Sequence, residues 1–229
     1  MHRRPHRQAE AARQGPGPVL AGDGEDVPRR RDQGGVLALS RRGLILLDRD
    51  GVLNRVVVDA EQGTIDSPLH PSQVQILPGA PEALAALHGA GFALAIASNQ
   101  PAAAKGKTTL QNLWGVNERV VAELERSGAR IAASYLCLHR HEDGCDCRKP
   151  KPGLLKQALA AHPDRQVSDS WMVGDGVTDV QAGRRAGVRT AYLGPRKCDA
   201  CKVFEELETT PDWWGQDLGA FVEHVLHSR

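Results

Sequence analysis

Leu44-Ile45-Leu46-Leu47-Asp48-Arg49-Asp50-Gly51-Val52-Leu53-Asn54 is the stretch whose reading decides the fold. The apolar run Leu44 to Leu47 is unbroken and stops at a turn signal. It predicts a short strand buried on both faces, as in a parallel sheet. Asp48 and Asp50 follow, then Gly51. Open α/β sheets bind ligands outside the carboxyl ends of their strands. Two carboxylates at the end of this strand therefore stand where that architecture does chemistry. On this stretch alone, an acidic turn after a strand is the competing reading.

Further along the chain the pattern repeats. Residues 55 to 77 are mixed, and Pro68 and Pro71 exclude a helix, so they read as an excursion over the sheet. Pro78 to His88 opens a helix, with Pro81 in its first turn, Ala83, Leu84 and Leu87 on one stripe, and Gly89 and Gly91 ending it. Phe92 to Ala97 is a second buried strand that stops at Ser98-Asn99-Gln100. A loop carrying Lys105 and Lys107 precedes a long helix over 109 to 127, with Leu110, Leu113, Val116, Val120 and Leu124 at helical spacing. That stripe is core and is assigned no chemistry. Strands follow at Ile131 to Leu136, Ser170 to Gly174 and Val188 to Leu193, with helices at Pro152 to Ala161 and Val177 to Ala186, the second closed by Gly187. Strand alternating with helix predicts a doubly wound parallel sheet, and no insertion is long enough to make a second folded domain.

The chain has 229 residues and a formal net charge of +1, which removes any global electrostatic case for nucleic acid. No apolar run approaches the roughly 20 residues that span a bilayer. Residues 1 to 42 are rich in Arg, Gln, Gly and Pro and poor in large apolar side chains, so they are expected to be a disordered basic tail. They open like a signal n-region, but no apolar h-region follows, and Glu10, Asp23, Glu25 and Asp26 weaken a transit-peptide reading. A tail touching RNA or membrane is the sharper alternative to a solvated one. The folded domain is then 43 to 229, with a helical extension at 216 to 227 that, with Trp213-Trp214, caps the domain.

Cys137-x-His139-x5-Cys145-x-Cys147 gathers three thiols and an imidazole in one segment. Soft donors at this spacing suit tetrahedral Zn²⁺, and a full set of protein ligands makes the site structural. A disulfide is the alternative, but nothing in the sequence speaks for export. His141 is a spare candidate ligand. Cys198-x-x-Cys201 reads as two ordinary thiols at the sheet edge, although such a pair can also be redox-active or half a metal site.

Asp48-x-Asp50, Ser98-Asn99, Arg148-Lys149-Pro150 and Gly174-Asp175-x3-Asp179 resemble, in order, the motifs of the haloacid dehalogenase-like phosphatases. The resemblance spans about residues 44 to 194 and implies a Rossmann-like fold. It makes Asp48 the nucleophile and Asp50 the general acid and base. A Mg²⁺ held by Asp48, Asp175 and the Asp50 carbonyl is implied too, with Asp179 orienting that site from behind. Ser98 and the Asn99 amide would bind the phosphoryl group, and Lys149, rather than Lys151, would compensate its charge. The cysteine segment joined to Cys147-Arg148-Lys149-Pro150 narrows the likeness to the branch of heptose 1,7-bisphosphate 7-phosphatases and histidinol-phosphate phosphatases, which lack a large cap domain. Asn99-Gln100 followed by Ala104-Lys105-Gly106-Lys107 is similar to the heptose segment and casts Asn99, Gln100, Lys105, Lys107 and Arg148 as substrate-binding. The chain departs from that segment in Pro101-Ala102 and in Lys105, where the heptose pattern has Ser-Gly and Arg. The His139-x5-Cys145 gap is also that of the histidinol enzymes. The likeness implies a cytoplasmic enzyme acting on a phosphorylated small molecule; a monomer with no nucleic-acid or membrane partner is expected.

Overall fold

The computed structural model describes residues 42–59, 63–195 and 198–227. The expected tail lies outside these, except for Arg42, whose guanidinium stacks 4.2 Å over the Phe92 ring. The main sheet runs β5(Ile131–Cys137), β4(Ala93–Asn99), β1(Leu44–Leu47), β6(Trp171–Gly174), β7(Arg189–Leu193) and β8(Trp213–Gly215). Each of its neighbouring pairs is parallel. β1 sits between β4 and β6 in the register Leu44↔Ala93 and Leu47↔Val173. All its side chains are fully buried, which explains why its sequence does not alternate.

Helices cover both faces. Ile45 and Leu47 point into one layer with Leu84 and Leu87 of α1(Ala80–Gly89), Val120 and Leu124 of α2(Leu110–Glu125) and Phe221 of α6(Leu218–His227). Leu44 and Leu46 point into the other, with Leu154 and Leu155 of α3(Gly153–Ala161) and Ala182 of α4(Val177–Ala186). Thr109 caps α2 by accepting a 3.1 Å hydrogen bond from the Asn112 amide, and Gly187 closes α4 at φ 79°. Among the described residues no helix is long and apolar enough to cross a membrane.

Several expectations need correcting. Leu110 is 54% exposed and lies off the α2 core stripe. The excursion contains an antiparallel hairpin, β2(Val57–Asp59) with β3(Thr64–Asp66). Trp213-Trp214, expected in a cap with the last helix, is part of a strand. It belongs to β8, where the Trp214 indole donates to the Gly194 carbonyl at 2.8 Å and Trp213 packs on Phe221. Cys201 is a free, half-buried thiol on helix α5(Cys198–Glu206), which the sequence reading left out.

Candidate active site

Parallel strands bring their carboxyl ends to one edge. There β1 delivers Asp48, β4 delivers Ser98 and Asn99, β6 delivers Asp175, and the first turn of α4 adds Asp179. Carboxylate oxygens of Asp48, Asp175 and Asp179 all lie within 4.8 Å of one another. Asp179, expected behind the metal, is thus close enough to be a direct ligand. Glycine makes this convergence possible. Gly51 has φ 86°, and a Cβ on it would stand 2.0 Å from Asp175 Oδ2. A Cβ on Gly174 would stand 2.2 Å from Asp179 Oδ2.

Lys149 is the one cation placed among these acids in the described structure. Its Nζ is 3.0 Å from Asp48 Oδ1 and 2.5 Å from Asp179 Oδ1, and its side chain is 1% exposed. Burial works against its charge, but Asp179 and Asp48 outweigh that and raise its pKa. Lys151 points elsewhere, to the Gly144 carbonyl and Asp146. Three carboxylates against one ammonium leave excess negative charge. Burial, then the Asp48 and Asp179 charges, pushes Asp175 up to about 7. Burial and Asp48 raise Asp179 to about 6 against the pull of Lys149. A site that must hold protons to relieve its own repulsion fits a divalent, oxygen-seeking cation.

Asp50 faces away from this group. Its oxygens accept from Arg49 Nε and Nη2 at 3.1–3.2 Å, from Asn54 Nδ2 at 2.8 Å, from Ser67 Oγ at 2.8 Å and from Gln100 Nε2 at 2.6 Å. Burial alone would raise its pKa, but the Arg49 charge and the Asn54 and Gln100 bonds keep it below the usual carboxylate value. Gln100, expected to touch substrate, is 1% exposed and spends its amide on Asp50, Ser98 and Arg49. Asn99 likewise turns inward: its side chain exchanges two 3.0 Å hydrogen bonds with the Lys149 backbone and so locks the lysine segment to β4. Sequence reasoning missed Arg49, Asn54 and Ser67 around Asp50. Arg49 and Asn54 stand in the opening stretch, and only their polarity beside a buried strand marks them. For Ser67 no spacing signal exists.

The second cluster lies one strand over. Cys137 ends β5, paired in register with Asn99. Cys137 Sγ is 3.6 Å from Cys145 Sγ and 3.8 Å from His139 Nδ1; Cys147 Sγ is 3.4 Å from Cys145 Sγ and 3.3 Å from His139 Nδ1. Ligands around a tetrahedral zinc are separated by roughly 3.5–3.8 Å, given Zn–S and Zn–N bond lengths. The close-set thiols compete for protons. The Cys147 hydrogen bond lowers the Cys137 thiol to about 5, while the same contact and burial push the Cys147 thiol up. A soft cation would let all the thiols ionise. His141 is exposed on a separate turn and takes no part. The cluster holds the segment behind it: Arg148 Nη1 reaches the His139 carbonyl at 3.3 Å, and the Gln100 amide donates to the Cys137 carbonyl at 2.7 Å. Lys105 is exposed on its turn. Lys107 pairs at 2.5 Å with Asp66 of the hairpin.

A family model described as haloacid dehalogenase-like hydrolase matches residues 68–187. The chain is 34% identical over 179 residues to a D-glycero-beta-D-manno-heptose-1,7-bisphosphate 7-phosphatase of Pseudomonas aeruginosa, covering 72% of this chain and 94% of that one. It is 32% identical over 137 residues to a D-glycero-alpha-D-manno-heptose-1,7-bisphosphate 7-phosphatase of Mycobacterium tuberculosis, covering 60% and 69%. The crystal structure of the D,D-heptose 1,7-bisphosphate phosphatase of B. bronchiseptica with magnesium and phosphate superposes with a TM-score of 0.68 at 28% identity, over 82% of this chain and 99% of that one. With its parallel sheet, its strand-end carboxylates and these relatives, the chain belongs to the haloacid dehalogenase-like hydrolases, among the phosphatases of that family.

Proposed function

We propose that the chain removes the C7 phosphate of D-glycero-D-manno-heptose 1,7-bisphosphate. The observation that carries this is the set of relatives named for that reaction, joined to a site that places Asp48, Lys149 and Asp175 together at the ends of β1 and β6. Asp48 is the nucleophile: its Oδ attacks phosphorus and forms an aspartyl-phosphate. Lys149 neutralises the nucleophile and the phosphoryl oxygens, and Ser98 and the Asn99 amide donate to the same group. Asp50 gives a proton to the departing C7 oxygen, then takes one from the water that cleaves the aspartyl-phosphate. Asp48, Asp175 and the Asp50 carbonyl would hold Mg²⁺, backed by Asp179, and the ion would keep Asp48 ionised and draw charge from a phosphoryl oxygen. Cys137, His139, Cys145 and Cys147 would hold a structural Zn²⁺ that fixes Arg148 and Lys149 behind it. Lys105 and Lys107 take the C1 phosphate, Lys107 exchanging Asp66 for it, with Arg148 adding a bidentate contact.

The test is phosphate release by the full chain with Mg²⁺ from both anomers of the bisphosphate and from histidinol phosphate, with Asp48→Asn as the blank. The heptose reading requires the bisphosphate to win on kcat/KM. Histidinol phosphate winning would transfer the enzyme to the other branch. Neither exceeding the blank would remove the substrate class.

A further inference from the structure

We propose that Ser67 is a positioning residue for Asp50 and serves both proton-transfer steps. The inference rests on the reading of Asp50 as general acid and base.

The argument begins with what surrounds Asp50. Arg49 can only donate. Gln100 presents its Nε2 to Asp50, because its Oε1 already accepts from Arg49 Nη2 at 2.7 Å. Asn54 is held nitrogen-first by the Arg55 carbonyl, 2.9 Å from the same Nδ2. These three partners suit an anionic Asp50 and offer nothing to its protonated form. Ser67 Oγ, 2.8 Å from Asp50 Oδ2, differs: a hydroxyl donates to a carboxylate and, after rotating, accepts from a carboxylic acid. It is the one observed partner of Asp50 that can match both states without moving a heavy atom.

Ser67 is also held in place from both sides. Asp66 is paired with Lys107. The Leu69 carbonyl accepts from Thr108 Oγ1 at 2.6 Å, and the Leu69 amide donates to Gln73 Oε1 at 2.8 Å. Pro68 between them is buried. The hairpin's exit is thereby fixed against the loop that carries the lysines, and Ser67 is held against the acid.

The steps balance as follows. The ester P–O bond breaks as the Asp48 Oδ–P bond forms, and the Asp50 proton passes to the leaving oxygen. Water then gives a proton to Asp50 and its hydroxide to phosphorus, which frees Asp48 and inorganic phosphate. Ser67 keeps Asp50 aimed at the leaving oxygen before the transfer and at the water after it.

The experiment compares Ser67→Ala, Ser67→Thr and Asp50→Asn on two substrates: the alkyl phosphate preferred in the comparison above, and p-nitrophenyl phosphate, whose phenolate departs without protonation. Ser67→Ala should lower kcat on the alkyl phosphate by on the order of tenfold, a fraction of the full acid–base contribution, with KM within about twofold. On p-nitrophenyl phosphate kcat/KM should fall by less than about threefold, because kcat/KM reports the phosphoryl transfer to Asp48, in which the phenolate departs without protonation. Ser67→Thr, which keeps the hydroxyl, should recover most of the alkyl rate. Equal losses of kcat/KM on both substrates, no loss on the alkyl phosphate, or a threonine variant as impaired as alanine would overturn the inference. Asp50→Asn separates the two levels: it should show the same leaving-group preference, larger. If it does and Ser67→Ala does not, Ser67 alone is misassigned. If it does not, the acid role of Asp50 falls and this inference with it.

Discussion

Asp48, Asp175 and Asp179 share one small volume with a single ammonium, and the proton is their alternative to a metal ion. A raised carboxylate pKa means the group keeps its proton to higher pH. In the metal-free chain Asp175 holds its proton to about 7 and Asp179 to about 6, so protons compete with Mg²⁺ below neutrality. Titration calorimetry should show Mg²⁺ affinity near its plateau at pH 8. It should fall by about tenfold per pH unit once pH drops below the Asp175 value, because a ligand must lose its proton to bind. An affinity flat from pH 8 to 5.5 would mean these carboxylates do not bind the ion. Lys149 carries the opposite burden. Lys149→Met strands the buried Asp179 charge, and removal of one partner of a buried pair costs about 3–5 kcal/mol. Denaturant melts should show that loss along with a phosphatase rate down by on the order of a hundredfold or more. Lys151→Met, at an exposed lysine outside the site, should leave both nearly unchanged.

The same scale shows what the sequence could disclose. Asp48, Ser98, Lys149, Asp175 and Asp179 each end a buried run or open a helix, so position and chemistry coincide in one dimension. Gln100 looked like a ligand contact because it follows Asn99 in a motif, but its burial depends on Arg49, a contact 51 residues apart in the chain. Ser67 reaches Asp50 only after the hairpin folds back, and hairpin pairing between three-residue strands leaves little trace in composition.

At the level of elements, the cysteine segment and the lysine segment are one unit. Cys147 lies two residues before Lys149, and Asn99 clamps the Lys149 backbone from β4. Cys145→Ser, or zinc removal by a chelator, should therefore lower both stability and turnover. A metal that binds only the folded form contributes several kcal/mol, which for a domain of this size corresponds to a fall in Tm of roughly 5 °C or more. Metal analysis of the purified chain should find close to one zinc per molecule. A full complement of activity after complete zinc removal would contradict this coupling. The 101–107 loop is a second unit. Lys105→Glu should raise KM for a bisphosphate by about tenfold, the order of one lost charge-assisted contact, and leave p-nitrophenyl phosphate hydrolysis within about twofold. The hairpin and β8 were illegible for a common reason. Val58 and Ile65 are exposed on the hairpin, and β8 is a half-buried edge strand, so neither shows the alternation or the unbroken run that marks a strand.

Across the whole molecule, the parallel sheet was readable because three of its inner strands, β1, β4 and β6, are apolar runs bounded by turn residues, while the edge that carries the candidate site was readable because those runs lead into polar residues. The order β5-β4-β1-β6-β7-β8 then places the Cys/His cluster, the lysine segment and the carboxylates side by side along one edge. No large insertion separates β1 from α1 or α1 from β4; the hairpin exit meets Asp50 through Ser67, the lysine loop meets the hairpin through Lys107 and Asp66, and Asn99 ties the segment behind the cysteines to β4. The choice of phosphorylated substrate is the claim with the most at stake. It is tested most directly by following the full chain with Mg²⁺ and D-glycero-D-manno-heptose 1,7-bisphosphate by ³¹P NMR. The account predicts loss of the C7 phosphate signal alone, an equimolar rise of inorganic phosphate, and an anomeric phosphate that persists. Loss of the anomeric phosphate first, loss of both, or no change under conditions in which p-nitrophenyl phosphate is hydrolysed would contradict it.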